Sequence, residues 1–501
     1  MSTASSGGPG ATVSLLGGET RRRNLFGSFS GGQVAVLTGA SVLWLVVLLV
    51  SQSFPVLVVG VLALLGLSWL LRRQDSSGDS WGRTRGEGLW FWMRRRRELD
   101  VWSPGGDLPS AVGSFRELTY ADDPDAPPVA IIHQRDRAQR FGPQSTLVAV
   151  LEIVGGGDGL REVTEVNRRG SRFGQLLGTL ASPESPVEQI DIETRVLPAD
   201  PSAYADEMAA MLAPGCPPAL RASMEQLAAH GAAQTETYRT FATVRMPLAA
   251  VQARVVGRVA SAEDTVVAAV DALRVVVDRL ERSGHVVRGV LGPRRIAAMV
   301  RHLHVPSFGL DDLDGLERIR DGWAFPVVPM RDAVRVDGPD GPWFHAVASV
   351  PRDSWPMDVV GMRWMQNLVT DVNPATIRTV KAQHRLVPKR LARGKATIGL
   401  TLDTAAIRSR EKKQAVSTGE DEASATAAQR VMNDLLGAGT AGDHAAVRII
   451  VSAPDLAALR IARSAVSAAA EDSGITRLRW YENRHHQALV LGAPLARGIQ
   501  A

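Results

Sequence analysis

VEQIDIETRVL, residues 187–197, decides the fold. Its apolar and polar side chains alternate, which is the period of a β-strand rather than a helix. Working outward toward the N-terminus, residues 160–181 carry a helical pattern, and Thr146–Val154 and Val129–His133 read as strands. Toward the C-terminus, residues 202–213 and 217–230 read as two helices and Tyr238–Met246 as a strand. Ser261 is the expected N-cap of a long helix with Glu263 and Asp264 in its first turn and Gly284 as its stop signal. Val286–Leu291 is then a further strand. Without the two inserted helices the order is β-α-β-β-α-β, the ferredoxin-like split unit.

The second half repeats that order. Strands are expected at Phe344–Val350, within Ala375–Val387 and at Val447–Ser452, and again at 475–482 and 487–492. Helices are expected over 357–369 and 454–471. Residues 389–440 are helical in composition and broken by Ser417-Thr418-Gly419-Glu420-Asp421-Glu422, which predicts a bent helical arm. The expected class is therefore α+β: an N-terminal transmembrane helical hairpin, then two tandem ferredoxin-like split units, one carrying the arm. The domains are 1–33, a flexible cytoplasmic tail; 34–72, the hairpin; 73–127, a basic and aromatic juxtamembrane segment and linker; 128–330; and 331–501.

The hairpin is read from two charge-free runs, Val34–Val50 and Val56–Leu71, joined by Ser51-Gln52-Ser53-Phe54-Pro55. With flanking residues each run approaches the length of a membrane span. Arg21-Arg22-Arg23 before the pair and Arg72, Arg73, Arg83 and Arg85 after it predict both termini on the cytoplasmic side of an inner membrane. Trp90, Phe91 and Trp92 beside Arg94, Arg95, Arg96 and Arg97 are the expected interfacial segment, with rings at headgroup depth and guanidinium groups on anionic lipid headgroups.

Composition fits that reading. About 400 of the 501 residues lie beyond the hairpin, room for two to three ordinary domains. The formal net charge is only +5 despite a pI near 9.7, and most of the excess lies beside the hairpin. Cys216 is the single cysteine, so an intrachain disulfide and a cysteine-cluster metal site are excluded.

Tests for catalytic motifs return negatives. The one Gly-Lys pair, Gly394-Lys395, has Lys389 in place of the first P-loop glycine and Ala396 in place of the hydroxyl. Gly155-Gly156-Gly157-Asp158-Gly159 lacks the register of a dinucleotide fingerprint and reads as a turn. His302 and His304 would share a face on a strand, but no third metal ligand accompanies them. Arg378, Lys381, Arg385, Lys389, Arg390, Arg393 and Lys395 form the one cationic cluster that could touch DNA, and a solvated arm explains it more simply. Two turn signals, Asp337-Gly338 and Asp340-Gly341, feed the strand entry Trp343-Phe344-His345. There Trp343 either plugs the core or, with His345, contacts a partner. No catalytic residue, cofactor or metal site is expected.

With a charge-flanked hairpin before a tandem α/β region, Trp343-Phe344-His345-Ala346-Val347 and the C-terminal Trp480-Tyr481-Glu482 and LVLGAPL (489–495), the chain resembles an actinobacterial family of integral membrane proteins. Those proteins belong to conjugation-like (type IV secretion) gene clusters. Its C-terminal part is similar to the non-motor N-terminal domain of the large conjugation ATPases. A looser resemblance is to the EccE component of type VII secretion. The resemblance implies a non-enzymatic inner-membrane scaffold, oligomeric in its complex, that docks a separate secretion or conjugation ATPase and other membrane subunits. The alternatives are an EccE-like membrane component and a membrane-tethered enzyme with a dispersed site.

Overall fold

The computed structural model describes residues 14–15, 31–71, part of 86–96, 108–394 with short gaps, and 442–498. By their contacts these fall into two bodies, Glu19–Val101 and a larger one made of Trp102–Ala501 with Met1–Gly18.

The first body holds helices α1 (Gly31–Ser51) and α2 (Phe54–Leu71). The chain reverses at Gln52, whose φ is +46°. Trp44 donates its indole N–H to the Val56 carbonyl at 3.4 Å. Its ring occupies the space a side chain at Gly60 would need, since a Cβ there would come within 1.6 Å of Nε1. The two expected membrane spans are not found: among the described residues no helix is long and apolar enough to cross a membrane. The 18 residues of α2 rise only about 27 Å at 1.5 Å each, against about 30 Å of hydrocarbon. The 21 residues of α1 begin with Gly31-Gly32-Gln33 and end on Ser51, so its apolar part is shorter than its length suggests. The inner-membrane location inferred from those spans falls with them.

The second body is built on a large antiparallel sheet, which makes it α+β. Its strands begin with β1 (Ser14–Leu15), which pairs only with a short strand at Val359–Val360, and continue with β2 (Phe115–Tyr120) and β3 (Val129–Asp136). β2 lies in what the sequence reads as linker. Then follow β4 (Gln144–Val154), α3 (Val163–Leu180), β5 (Gln189–Pro198), α4 (Pro218–Ala233), β6 (Glu236–Pro247), α5 (Leu248–Gln252), α6 (Ala262–Arg282) and β7 (Val286–Val290). Ser261 caps α6 as expected. Its hydroxyl accepts the Asp264 N–H at 3.0 Å, and the Asp264 carboxylate accepts the Ser261 N–H at 3.1 Å.

β6 pairs along one edge of β4. The other edge is shared, β3 taking the Gln144–Val148 half and β7 the Leu151–Val154 half. The spatial order β7-β4-β6-β5 is therefore fourth-first-third-second, with α3 and α6 as the crossovers.

After β7 come α7 (Pro293–His304), β8 (Val327–Pro329), β9 (Val334–Gly338), β10 (Gly341–Ser349), β11 (Val359–Val360), α8 (Gln366–Thr370), β12 (Ile377–Val387), β13 (Gly442–Ala453), α9 (Leu456–Asp472), β14 (Arg479–Trp480) and α10 (His485–Val490). β10 pairs with β13 on one edge and with β9 and β14 on the other, so β14-β10-β13-β12 has the same order. The two halves join through β5 and β12, antiparallel from Arg378↔Val196 to Arg385↔Gln189.

Two expected strands are different structures. Residues 487–492 are mostly helix α10, and only Arg479–Trp480 of 475–482 is strand. His302 and His304 lie on helix α7, where residues two apart do not share a face. Gly292 as N-cap and Pro293 at the first turn start that helix.

One face of the sheet is covered by the crossover helices. α3 and α6 pack on Leu147, Ala149, Ile190 and Val244, and α9 packs on Ala346, Ile449 and Val451. The opposite face carries Ile132, Val148, Val150, Phe241, Val347 and Ile450 under α7, α10 and Leu495.

Candidate functional site

On that second face lies a buried polar stripe across the junction of the two halves. β5 alternates, so Gln189, Asp191, Glu193 and Arg195 point to one side, and all four are buried. Register places Gln383 opposite Asp191 and Lys381 opposite Glu193. On the other flank of β5, Arg245 stands opposite Gln189.

Arg245 pairs with Glu188 Oε2 at 3.7 Å, and the other charges of the stripe balance one another. Lys381 Nζ lies 3.5 Å from Asp191 Oδ2 and 3.6 Å from Glu193 Oε2. Arg195 donates Nε–H to Glu193 at 2.7 Å and a further N–H to the Met299 carbonyl of α7 at 2.6 Å. The Gln189 and Gln383 amides both donate to Asp191, at 2.6 and 2.8 Å. Two carboxylates and two cations are thus buried as a set, which low dielectric tolerates only when each is paired.

The remaining donors of the stripe grip one segment of backbone. Gln134 donates to the Leu495 carbonyl at 2.8 Å, and Lys381 to Ala493 at 2.9 Å. Gln189 and Arg245 both donate to Ala496 at 3.2 Å. Gln383 reaches Arg497 at 2.9 Å and Arg448 reaches Gly498 at 2.7 Å. Residues 493–498 therefore form a strap across the sheet face, held through its carbonyls. Gly492 gives it entry, because a Cβ there would come within 2.1 Å of Ile450 Cδ1, itself locked in the core. Gly492→Ala is expected to cost about 1–3 kcal/mol, read as a lower urea midpoint. An unchanged midpoint would mean that the strap shifts freely.

Beside the strap lie buried histidines. His345 places Nδ1 on Ser452 Oγ and Nε2 on the His304 carbonyl, both at 2.8 Å. His485 Nδ1 accepts the Val347 N–H at 2.9 Å. Arg195 donates to His302 Nδ1 at 3.2 Å. Burial holds all of these imidazoles neutral: His345 and His485 fall to about 3, His304 to about 4, and His302 well below the usual 6.5. The Arg195 charge adds to the effect on His302.

A second cluster closes the first half. Glu152 receives Arg239, Arg288 and Arg295, the last at 3.0 Å, and Asp311 takes Arg239 and Arg295 at 2.9 and 2.7 Å. Hydrogen bonding from Arg239 holds the Asp311 carboxyl below its usual range. Arg378 spans the two halves, gripping both oxygens of Glu236 at 2.7 and 3.0 Å. These groups are engaged with one another, which is the behaviour of structural ion pairs. A surface cavity of about 250 Å³ lies on the other face, lined by Leu180, Ser182, Val187, Arg254, Val276 and Arg279. Among the described residues no group of three His, Cys, Asp or Glu side chains is placed to hold a metal ion.

The residues singled out from sequence are not brought together. His345 is wholly buried and fully bonded, so it is a core histidine and not a partner contact. Trp343 is half-buried against the core. Of the expected cationic cluster, Arg378 and Lys381 are buried in ion pairs, whereas Arg385 and Lys389 are half-buried and Arg390 and Arg393 exposed. Lys395, Trp90, Arg94, Arg95 and Arg97 lie outside the described residues, as does the glycine run 155–159. Phe91, Trp92 and Arg96 are helical, with the Arg96 guanidinium 5.3 Å from the Trp92 ring centre and Trp92 exposed. The expected arm is described only at 389–394, as helix. The buried stripe and its strap escaped sequence reading; the one available signal was the charge alternation Asp191-x-Glu193-x-Arg195.

Compared with known proteins, the chain matches no family model and no curated relative.

Proposed function

We propose that this chain is a non-enzymatic assembly subunit of a conjugation-like secretion apparatus that docks a separate ATPase or coupling protein. The observation carrying this reading is the distribution of chemistry and apolar surface. The charged groups of the buried stripe, Asp191, Glu193, Arg195 and Lys381, are paired with one another, while the charge-free hairpin presents side chains outward: Leu49 is 73% exposed and Val50 82%. An exposed apolar surface of that extent is characteristic of an interaction site. α4 adds Leu220 and Leu227, also exposed. The family resemblance supplies the kind of assembly.

The arm 389–440 is the second docking element. Val387 and Gly442 are directly paired, so a short link can close the β12–β13 hairpin without it. Replacing 395–440 by a Gly/Ser link is expected to leave thermal unfolding within a few degrees of the parent. Co-purification of the secretion ATPase should fall below a tenth. The same loss is expected from Leu49→Ser with Leu62→Ser. Full retention of the ATPase by both folded variants, or turnover of a small substrate by the purified protein alone, would overturn the assembly reading.

A further inference from the structure

We propose that Gln134, Gln189, Arg245, Lys381, Gln383 and Arg448 form a peptide-binding groove, and that its occupant, the strap 493–498, exchanges between two copies of this chain. The inference goes beyond the assembly role and does not depend on which partner the subunit docks.

The groove reads backbone. Each of the six side chains donates to a strap carbonyl, and they come from five strands, β3, β5, β6, β12 and β13. The strap joins no strand ladder; the Ala493 and Leu495 amides bond locally, to Val490 and Ala493. The ladders that carry the donors are complete without it. In this respect the strap is a bound peptide that happens to be covalently attached.

The groove also selects side chains. Ala493, Leu495 and Ala496 are buried to within 1%. At Gly498, where φ is +109°, a Cβ would meet the Arg448 guanidinium at 2.7 Å. The fitting pattern is Ala-x-Leu-Ala-x-Gly, and this chain supplies it. A second copy carries the identical segment, so exchange preserves every groove contact and changes only the connection. That connection is the turn before α10, where Asn483 adopts φ +61° and donates its N–H to the Arg331 carbonyl at 2.7 Å. Opening that turn carries α10 and the strap out together, because His485 and Leu489 belong to the same short segment.

The test uses full-length chains in a Cys216→Ser background. One tagged copy carries Gln134→Cys, and a second, differently tagged, carries Arg497→Cys; in one chain Arg497 Nε donates to Gln134 Oε1 at 3.2 Å. After co-expression, a short bis-maleimide should give a covalent product bearing both tags. A chain carrying both cysteines should give the intrachain product as control. Intrachain product with no two-tag product would overturn the exchange. Should the cysteine variants fail to fold, a fluorescent peptide of residues 489–499 is added to the wild-type chain. Saturable binding, weakened at least tenfold by Leu495→Asp in the peptide, supports the groove. Equal binding of both peptides, or none, overturns it.

Discussion

At pH 5 the protein is expected to have lost about 6 kcal/mol of the stability it holds at pH 7.5, enough to unfold a domain at the lower end of ordinary stability, about 5 kcal/mol. The loss comes from His304, His345 and His485, whose folded pKa values of about 4, 3 and 3 lie below the unfolded value of 6.5. Between those limits the unfolded chain binds more protons than the folded one, so stability falls as pH drops below about 6.5 and the loss saturates below about 3. At pH 5 each imidazole contributes about 2 kcal/mol. His302, shifted the same way, adds to this. Burial sets the direction for all three, with the Arg463 charge adding to it at His485, and the geometry there agrees: His485 Nδ1 accepts an N–H from Val347, and a proton there would set two donors against each other. The carboxylates do not cancel the effect at this pH. Asp311 is held low and matters only at greater acidity, whereas Glu117, raised by burial, gains stability on protonation and offsets a small part. Urea midpoints at pH 7.5 and 5.0 check this. His485→Asn, which keeps an acceptor without a titrating ring, should remove about a third of the pH dependence. A midpoint unchanged between the two pH values would show that these imidazoles reach solvent.

How legible was this in the sequence? The α+β class was, because β5, β6 and β13 alternate or run apolar over 187–197, 238–246 and 447–452, and Ser261 with Asp264 marks the start of α6. The stripe was not, for a physical reason. Alternation shows that Asp191, Glu193 and Arg195 share a face, but it does not show what covers that face, and Lys381, which completes the charge balance, lies on β12, nearly two hundred residues away. The same limit hid that Arg378 and Lys381 do not belong with the exposed cations that follow them. In a strand Arg378 and Lys381 point to opposite faces, and each meets its own carboxylate partner. The run LVLGAPL is too short for its period to separate strand from helix, and Gly492 breaks it into the end of α10 and the strap. The hairpin was legible as two joined apolar helices; its apolar reach was overestimated because run length and span length differ by only a few residues.

Lys381→Met is expected to destabilise the chain by about 3–5 kcal/mol at neutral pH, among the largest effects available from one side chain. Lys381, Asp191 and Glu193 are all fully buried. Removing the amine leaves Glu193 paired with Arg195 alone, and Asp191 with only the two amides of Gln189 and Gln383. The methionine fills the volume, so the loss measures charge and not a cavity. Asp191→Asn in the same chain removes the uncompensated charge and should recover more than 1 kcal/mol, a coupling that a double-mutant cycle in urea reads directly. Losses that simply add would show that the two residues do not sense each other. Lys381 also holds the Ala493 carbonyl. Amide exchange in residues 493–498 should therefore accelerate by more than the global change in stability requires, because the strap has lost one of its six donors while the sheet ladders beneath it remain complete.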